Sequence, residues 1–123
     1  MEAWSMDVGE TLRSSSREGW RRWLAQHHRD KREIWLILYK KSTRTQRISY
    51  EAAVEEAVCY GWIDGQTKRV DDETYALRFT PRRKNSNWSE SNKVRALKML
   101  RAGRITRSGK AVLPATLLER KET

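Results

Sequence analysis

Cysteine, proline and phenylalanine are scarce in this 123-residue chain, which has one cysteine, two prolines and one phenylalanine. A single cysteine, Cys59, excludes an internal disulfide, and the spacing needed for a four-ligand zinc site is absent. A reducing compartment suits such a chain. No stretch approaches the roughly 18 apolar residues of a membrane span. The opening "MEAWSMDVGETLRSSS" carries acids where a secretory signal would place a basic region before an apolar one. These absences predict a cytoplasmic protein without a membrane span.

Acid is missing from one window in particular. Between Arg78 and Lys110 there are 11 basic residues and one acid, Glu90, so this window alone accounts for the formal net charge of +10. Such a concentration predicts an anionic partner. What the chain has in quantity is tryptophan. Hydrophobic residues make up only 37%, yet six are Trp, and each indole can bury on the order of 150–250 Å2. A few large side chains must therefore build one core, since 123 residues are too few for two.

The pattern predicts a loose tail over residues 1–14 and a single domain over 15–123. Ser15-Ser16-Arg17-Glu18 fits a capping box, with Trp20, Trp23, Leu24 and His27 on the inner face of the helix that follows. "IWLILY" (34–39) is apolar on both alternating faces and reads as a central strand covered on both sides, followed by the polar loop "KKSTRTQR". Ser49 caps a second helix that Gly61 stops. A strand near 62–70, the turn "DDET" and a strand with Tyr75, Leu77 and Phe79 on one face and Ala76, Arg78 and Thr80 on the other form a hairpin ended by Pro81. Asn87 and Glu90 have the spacing of a cap for a third helix with Ala96, Leu97 and Leu100 inside, ending at Gly103. A last helical segment starts after Thr106 and is divided by Pro114. Helix, strand, helix, hairpin, two helices is an α+β order, with a small, mostly antiparallel sheet packed by helices.

The segments "REIWLILYKK", "SYEAAVEEAVCYGWIDGQTKRVDDETYALRFTPRRKNSNWSESN" and "AGRITRSG" together resemble the bacterial YdeI/OmpD-associated family, often labelled bacteriocin-protection proteins, over roughly residues 15–110. The resemblance implies a link to protection against bacteriocins and antimicrobial peptides and to an outer-membrane porin. It brings no catalytic residues. A chain at +10 is poorly suited to sequester cationic peptides, because like charges oppose the encounter, so a protective role would be indirect.

Two candidate sites emerge from the residues. The first is an anion or nucleic-acid face made of Arg78, Arg82, Arg83, Lys84, Asn92, Arg95, Lys98 and Arg101, where Trp88 can stack a base and Asn85, Asn87 or Asn92 can hydrogen-bond one. The second is a pocket around Tyr60, Trp62, Asp64, Arg78, Trp88 and Asn92, with Asp64 orienting Arg78 or Arg82 for a small anion. Against the pocket stands a structural clamp, in which Trp62 and Trp88 pack the hairpin on the third helix. Asp71, Asp72 and Glu73 read as turn solvation. His27 and His28 are neighbours on a helix and cannot share one metal, and Cys59 reads as a small buried apolar residue. The expectation is a non-enzymatic binding module without metal or cofactor, with nucleic acid as the first partner. The alternatives are a small-molecule-binding protein or enzyme, and an adaptor docking on an acidic protein.

Overall fold

Ile34–Tyr39 (β2) is buried along nearly its whole length because it lies inside a sheet with apolar residues on both faces. The computed structural model describes residues 9–14, 16–40 and 48–121. In chain order the other elements are β1 (Thr11–Leu12), α1 (Arg17–His27), α2 (Tyr50–Cys59), β3 (Trp62–Arg69), β4 (Thr74–Pro81), α3 (Glu90–Arg101), α4 (Arg107–Lys110) and α5 (Ala115–Lys121). The sheet order is β1-β2-β4-β3. β1 runs parallel to β2, and the other two pairings are antiparallel. This is a small α+β domain with a mixed sheet. No helix among the described residues is long and apolar enough to cross a membrane.

Period-two alternation sorts the strands. Ile34, Leu36, Leu38, Leu77, Phe79 and Trp62 face the helices and form the main core with Trp20, Leu24, Val54, Val58, Met99 and Leu100. Trp35, Ile37, Val70 and Ala76 make a second, smaller cluster containing no helical residue. The indoles carry much of the main core. Trp20 stacks on Trp23 with centroids 5.6 Å apart, and Trp23 meets the edge of Trp62 at 5.8 Å. Such pairs add about 0.5–1.5 kcal/mol each beyond their burial. Trp62, 1% exposed, packs edge-on with Trp23 of α1 in the same core that holds Met99 and Leu100 of α3 and against which Trp88 packs.

Most helix ends follow the sequence. Ser49 accepts from the Ala52 N–H, and Thr106 accepts from the Gly109 N–H. Gly61 stops α2 at φ 75°, in the left-handed region. Two caps differ from expectation. Ser16, not Ser15, caps α1 through the Gly19 N–H, which leaves no carboxylate at the third position; Ser15 lies outside the described residues. Ser89, not Asn87, caps α3 through the Asn92 N–H. Thr11 and Leu12, inside the predicted loose tail, instead pair with Trp35 and Leu36; residues 1–8, and the polar loop from 41 to 47, lie outside the described residues.

α4 is seated on the end of α2 by an unusually close approach. Thr106 gives both its N–H (2.9 Å) and its hydroxyl (2.7 Å) to the Cys59 carbonyl. A Cβ at Gly109 would stand 2.3 Å from that same oxygen, so only glycine fits. His28 ties α1 to the same region, bridging the Leu24 carbonyl (2.8 Å) and Ser108 Oγ (3.1 Å). Burial pushes the Cys59 thiol up to about 11, as befits a small packing residue.

Candidate anion-binding site

Two of the four basic residues of α3, Arg95 and Lys98, are committed to α2. Arg95 grips Glu51 with Nε (2.8 Å) and Nη2 (3.1 Å) and donates from Nη1 to Asn92 Oδ1 (2.7 Å). Lys98 bonds Glu55 at 2.8 Å. Arg101 is exposed and lies about 16 Å along the helix from its first residue. The strip predicted from spacing is thus mainly a clamp between two helices. Beneath it, Glu55 and Glu56 are 1% and 0% exposed. Arg17 bonds both carboxylates, and Arg21 (2.6 Å) and Arg104 (3.2 Å) close on Glu56. Burial alone would raise the Glu56 carboxyl, but hydrogen bonds from Arg17 and Arg21 and the Arg104 charge hold it below the usual value. Spacing alone did not point to this cluster, since adjacent acids on a helix look solvated.

The predicted pocket comes apart along the hairpin. Asp64 is paired with Phe79 across the ladder, so it shares the helix face, whereas Arg78 points to the other face and bonds Glu33 at 2.5 Å. The expected Asp64–arginine pair does not form. Asp64 instead accepts from the Tyr50 hydroxyl (2.9 Å) and Asn92 Nδ2 (3.4 Å). Burial and the Asp64 hydrogen bond push Tyr50 up to about 12. Tyr60 packs against the His28 ring and beneath the Arg21 guanidinium.

What the structure does bring together is Arg82 and Trp88. The Arg82 backbone N–H bonds the Gly61 carbonyl at 2.8 Å, fixing the residue beside the start of β3. Its guanidinium lies over the Trp88 ring, 3.7 Å from the centroid. Nη1 donates to Ser86 Oγ and the Asn87 carbonyl, both at 3.0 Å. Nε and Nη2 are buried and have no acceptor among the described residues, and the residue as a whole is 6% exposed. Burial lowers its pKa, with the Asp64 charge opposing, but a guanidinium stays protonated. Next to it Arg83 and Lys84 are exposed and without an ion-pair partner among the described residues. Asn85 turns the chain at φ 65°.

A family described as Domain of unknown function (DUF8412) matches residues 12–112. The chain belongs to the DUF8412 family. No curated protein and no solved structure matches it. The DUF8412 match takes in the hairpin, Arg82 and Trp88, α3 and α4, but stops before α5. In this DUF8412 domain, the loop from 82 to 88 brings three cations and an aromatic ring together with no ion pair to any of the three among the described residues.

Proposed function

We infer that this DUF8412 domain is a non-enzymatic, YdeI/OmpD-associated-like module that holds an anionic partner, nucleic acid first, at the loop from 82 to 88. The observation that carries the reading is the contrast in partners. Arg78, Arg95 and Lys98 are each bound to an acid of the fold, whereas Arg82, Arg83 and Lys84 stand in sequence without one among the described residues. Two exposed cations beside a buried third suit a phosphate backbone. Base stacking on Trp88 contributes less than expected from sequence, because Arg82 already covers one face of the ring. A cytoplasmic setting belongs to this proposal, and protection against bacteriocins or antimicrobial peptides would follow from it indirectly.

Salt dependence tests the reading. Binding of short DNA or RNA should weaken linearly in log[salt], and Arg83→Ala with Lys84→Ala should flatten the slope by about 0.9 for each duplex phosphate that is no longer neutralised. Lys98→Ala should leave it unchanged, since that ammonium is held by Glu55. Absence of binding at low salt would remove nucleic acid as the partner.

A further inference from the structure

Where the chain passes from β1 into α1 it leaves a cleft of about 290 Å3, walled by residues 12–14 and by Gly19, Arg22, Trp23 and Gln26 of the helix. The four helical residues stand at i, i+3, i+4 and i+7, so one face of α1 supplies them. The cleft shares no lining residue with the loop from 82 to 88. Two guanidiniums, those of Arg13 and Arg22, line it, and no Asp or Glu does. Arg17, Arg21, Arg78, Arg95 and Arg104 each bond a carboxylate of the fold. Arg13 and Arg22 form no ion pair among the described residues, although Glu18 stands one turn before Arg22. Asp71 does feel the Arg13 charge, but its carboxyl is held low first by hydrogen bonds from the Glu73 N–H and the Thr74 hydroxyl, and Arg13 adds the least.

The rest of the lining narrows the chemistry of a ligand. Leu12 and Trp23 give the cleft an apolar side, the indole being 9% exposed and stacked on Trp20. Gln26 brings an exposed amide with no partner among the described residues. The Ser14 hydroxyl is occupied, since it donates to the Ser16 carbonyl at 3.0 Å. Each free guanidinium offers a planar fork that receives two oxygens of one oxyanion. Two such charges with no lining acid favour a ligand carrying two negative charges, and the apolar side favours one with a ring or short chain. The volume stands at the small end of ligand sites. We propose that this cleft binds a small organic dianion, a phosphate monoester or a dicarboxylate, with its oxygens on Arg13 and Arg22 and its apolar body on Leu12 and Trp23. Both arginines are exposed, so the ligand enters without any movement of the chain.

Four probes test the site: phenyl phosphate, phthalate, inorganic phosphate and phenol, added near neutral pH while the Arg13 and Arg22 Nε–H and Trp23 Nε1–H resonances of the full chain are followed. One or both of the first two should move all three resonances and saturate. Inorganic phosphate, which lacks the apolar body, should bind about tenfold more weakly, and phenol, which lacks the charge, should leave the resonances in place. Arg13→Gln and Arg22→Gln should each weaken binding about tenfold or more, the worth of a charge-assisted bond, and both should fold because neither side chain has an ion pair to lose. Arg83→Ala with Lys84→Ala should change nothing here, so the cleft stands or falls apart from the loop from 82 to 88. Saturation by phenyl phosphate alone makes the monoester the ligand class, and saturation by phthalate alone makes it the dicarboxylate. Shifts that never saturate, equal affinity for phenyl phosphate and inorganic phosphate, a response to phenol, or full affinity in both arginine variants overturn the proposal.

Discussion

Glu56 and Arg82 are both charged side chains with almost no contact with water, yet the fold treats them in opposite ways. Around Glu56 three arginines converge from α1 and from the segment after α3, so the desolvated carboxylate is over-compensated. Around Arg82 there is an aromatic face, one hydroxyl and one carbonyl, and half of the guanidinium is left without an acceptor. Taking a charge out of water is costly unless partners replace the solvent. The first arrangement meets that cost within the chain and joins the helices. The second does not: Asp64 is close enough for its charge to act on Arg82, but no carboxylate forms an ion pair with it among the described residues. The difference separates a charge whose burial is met by partners within the chain from one whose burial is met only in part.

Removing the compensated acid should have the largest effect. Glu56→Ala should lower the free energy of unfolding by about 3–5 kcal/mol, as breaking a buried pair does, measured by urea denaturation. A loss under about 1 kcal/mol would mean that the cations rehydrate freely and the contrast with Arg82 is empty.

Replacing Gly109 by alanine should cost about 1–3 kcal/mol, because the new methyl would meet the Cys59 carbonyl and push α4 off α2. A melting curve checks this.

Acid should act on one side of the comparison only. The Glu56 and Glu51 carboxyls are held below their usual values in the folded state. Their contribution is therefore complete above the unfolded value near about 4.3 and is lost as the pH falls through the lowered folded values. Stability followed by circular dichroism should fall on acidification below that point. Glu56→Gln should flatten the fall, and Arg82→Met should leave its shape unchanged.

The smallest effect should come from Arg82 itself. Arg82→Met keeps the apolar stem against Trp88 and removes the unpaired charge, so stability should stay within about 1 kcal/mol of the parent. A loss of several kcal/mol in the same urea assay would make Arg82 a structural residue and erase the distinction.

The elements with local causes could be read from the sequence. "IWLILY" had to be covered on both sides, and Ser49, Gly61, Thr106 and Pro114 carry their own stereochemistry. Caps failed where two candidates stood close together, Ser15 beside Ser16 and Asn87 near Ser89, because local chemistry favours either. The sequence singled out the charged and aromatic residues of the candidate site but not how they pair. Asp64 and Arg78 look like partners until the hairpin register places them on opposite faces. Glu55 and Glu56 look solvated because the cations that bury them, Arg17, Arg21, Lys98 and Arg104, lie 35 to 48 residues away in the chain. Trp88 and Arg82 were both singled out, but nothing local told that one would lie on the other. Burial of an arginine without an acid is decided by what the fold leaves out, and sequence records only what is present.

The irregular rim of the sheet bears on self-association. β1 offers only Thr11 and Leu12, and β3 breaks its register between Asp64 and Thr67 before ending in Lys68 and Arg69. An extended segment from another molecule needs a long, flat row of unpaired N–H and C=O groups to add itself to a sheet, and bulges and outward cations disrupt such a row. Neither described edge presents one. A protein this rich in buried indole and β-branched residues thus keeps strand addition from competing with its surface charges, and concentrated solutions should resist edge-to-edge growth even where counterions mute the repulsion between molecules.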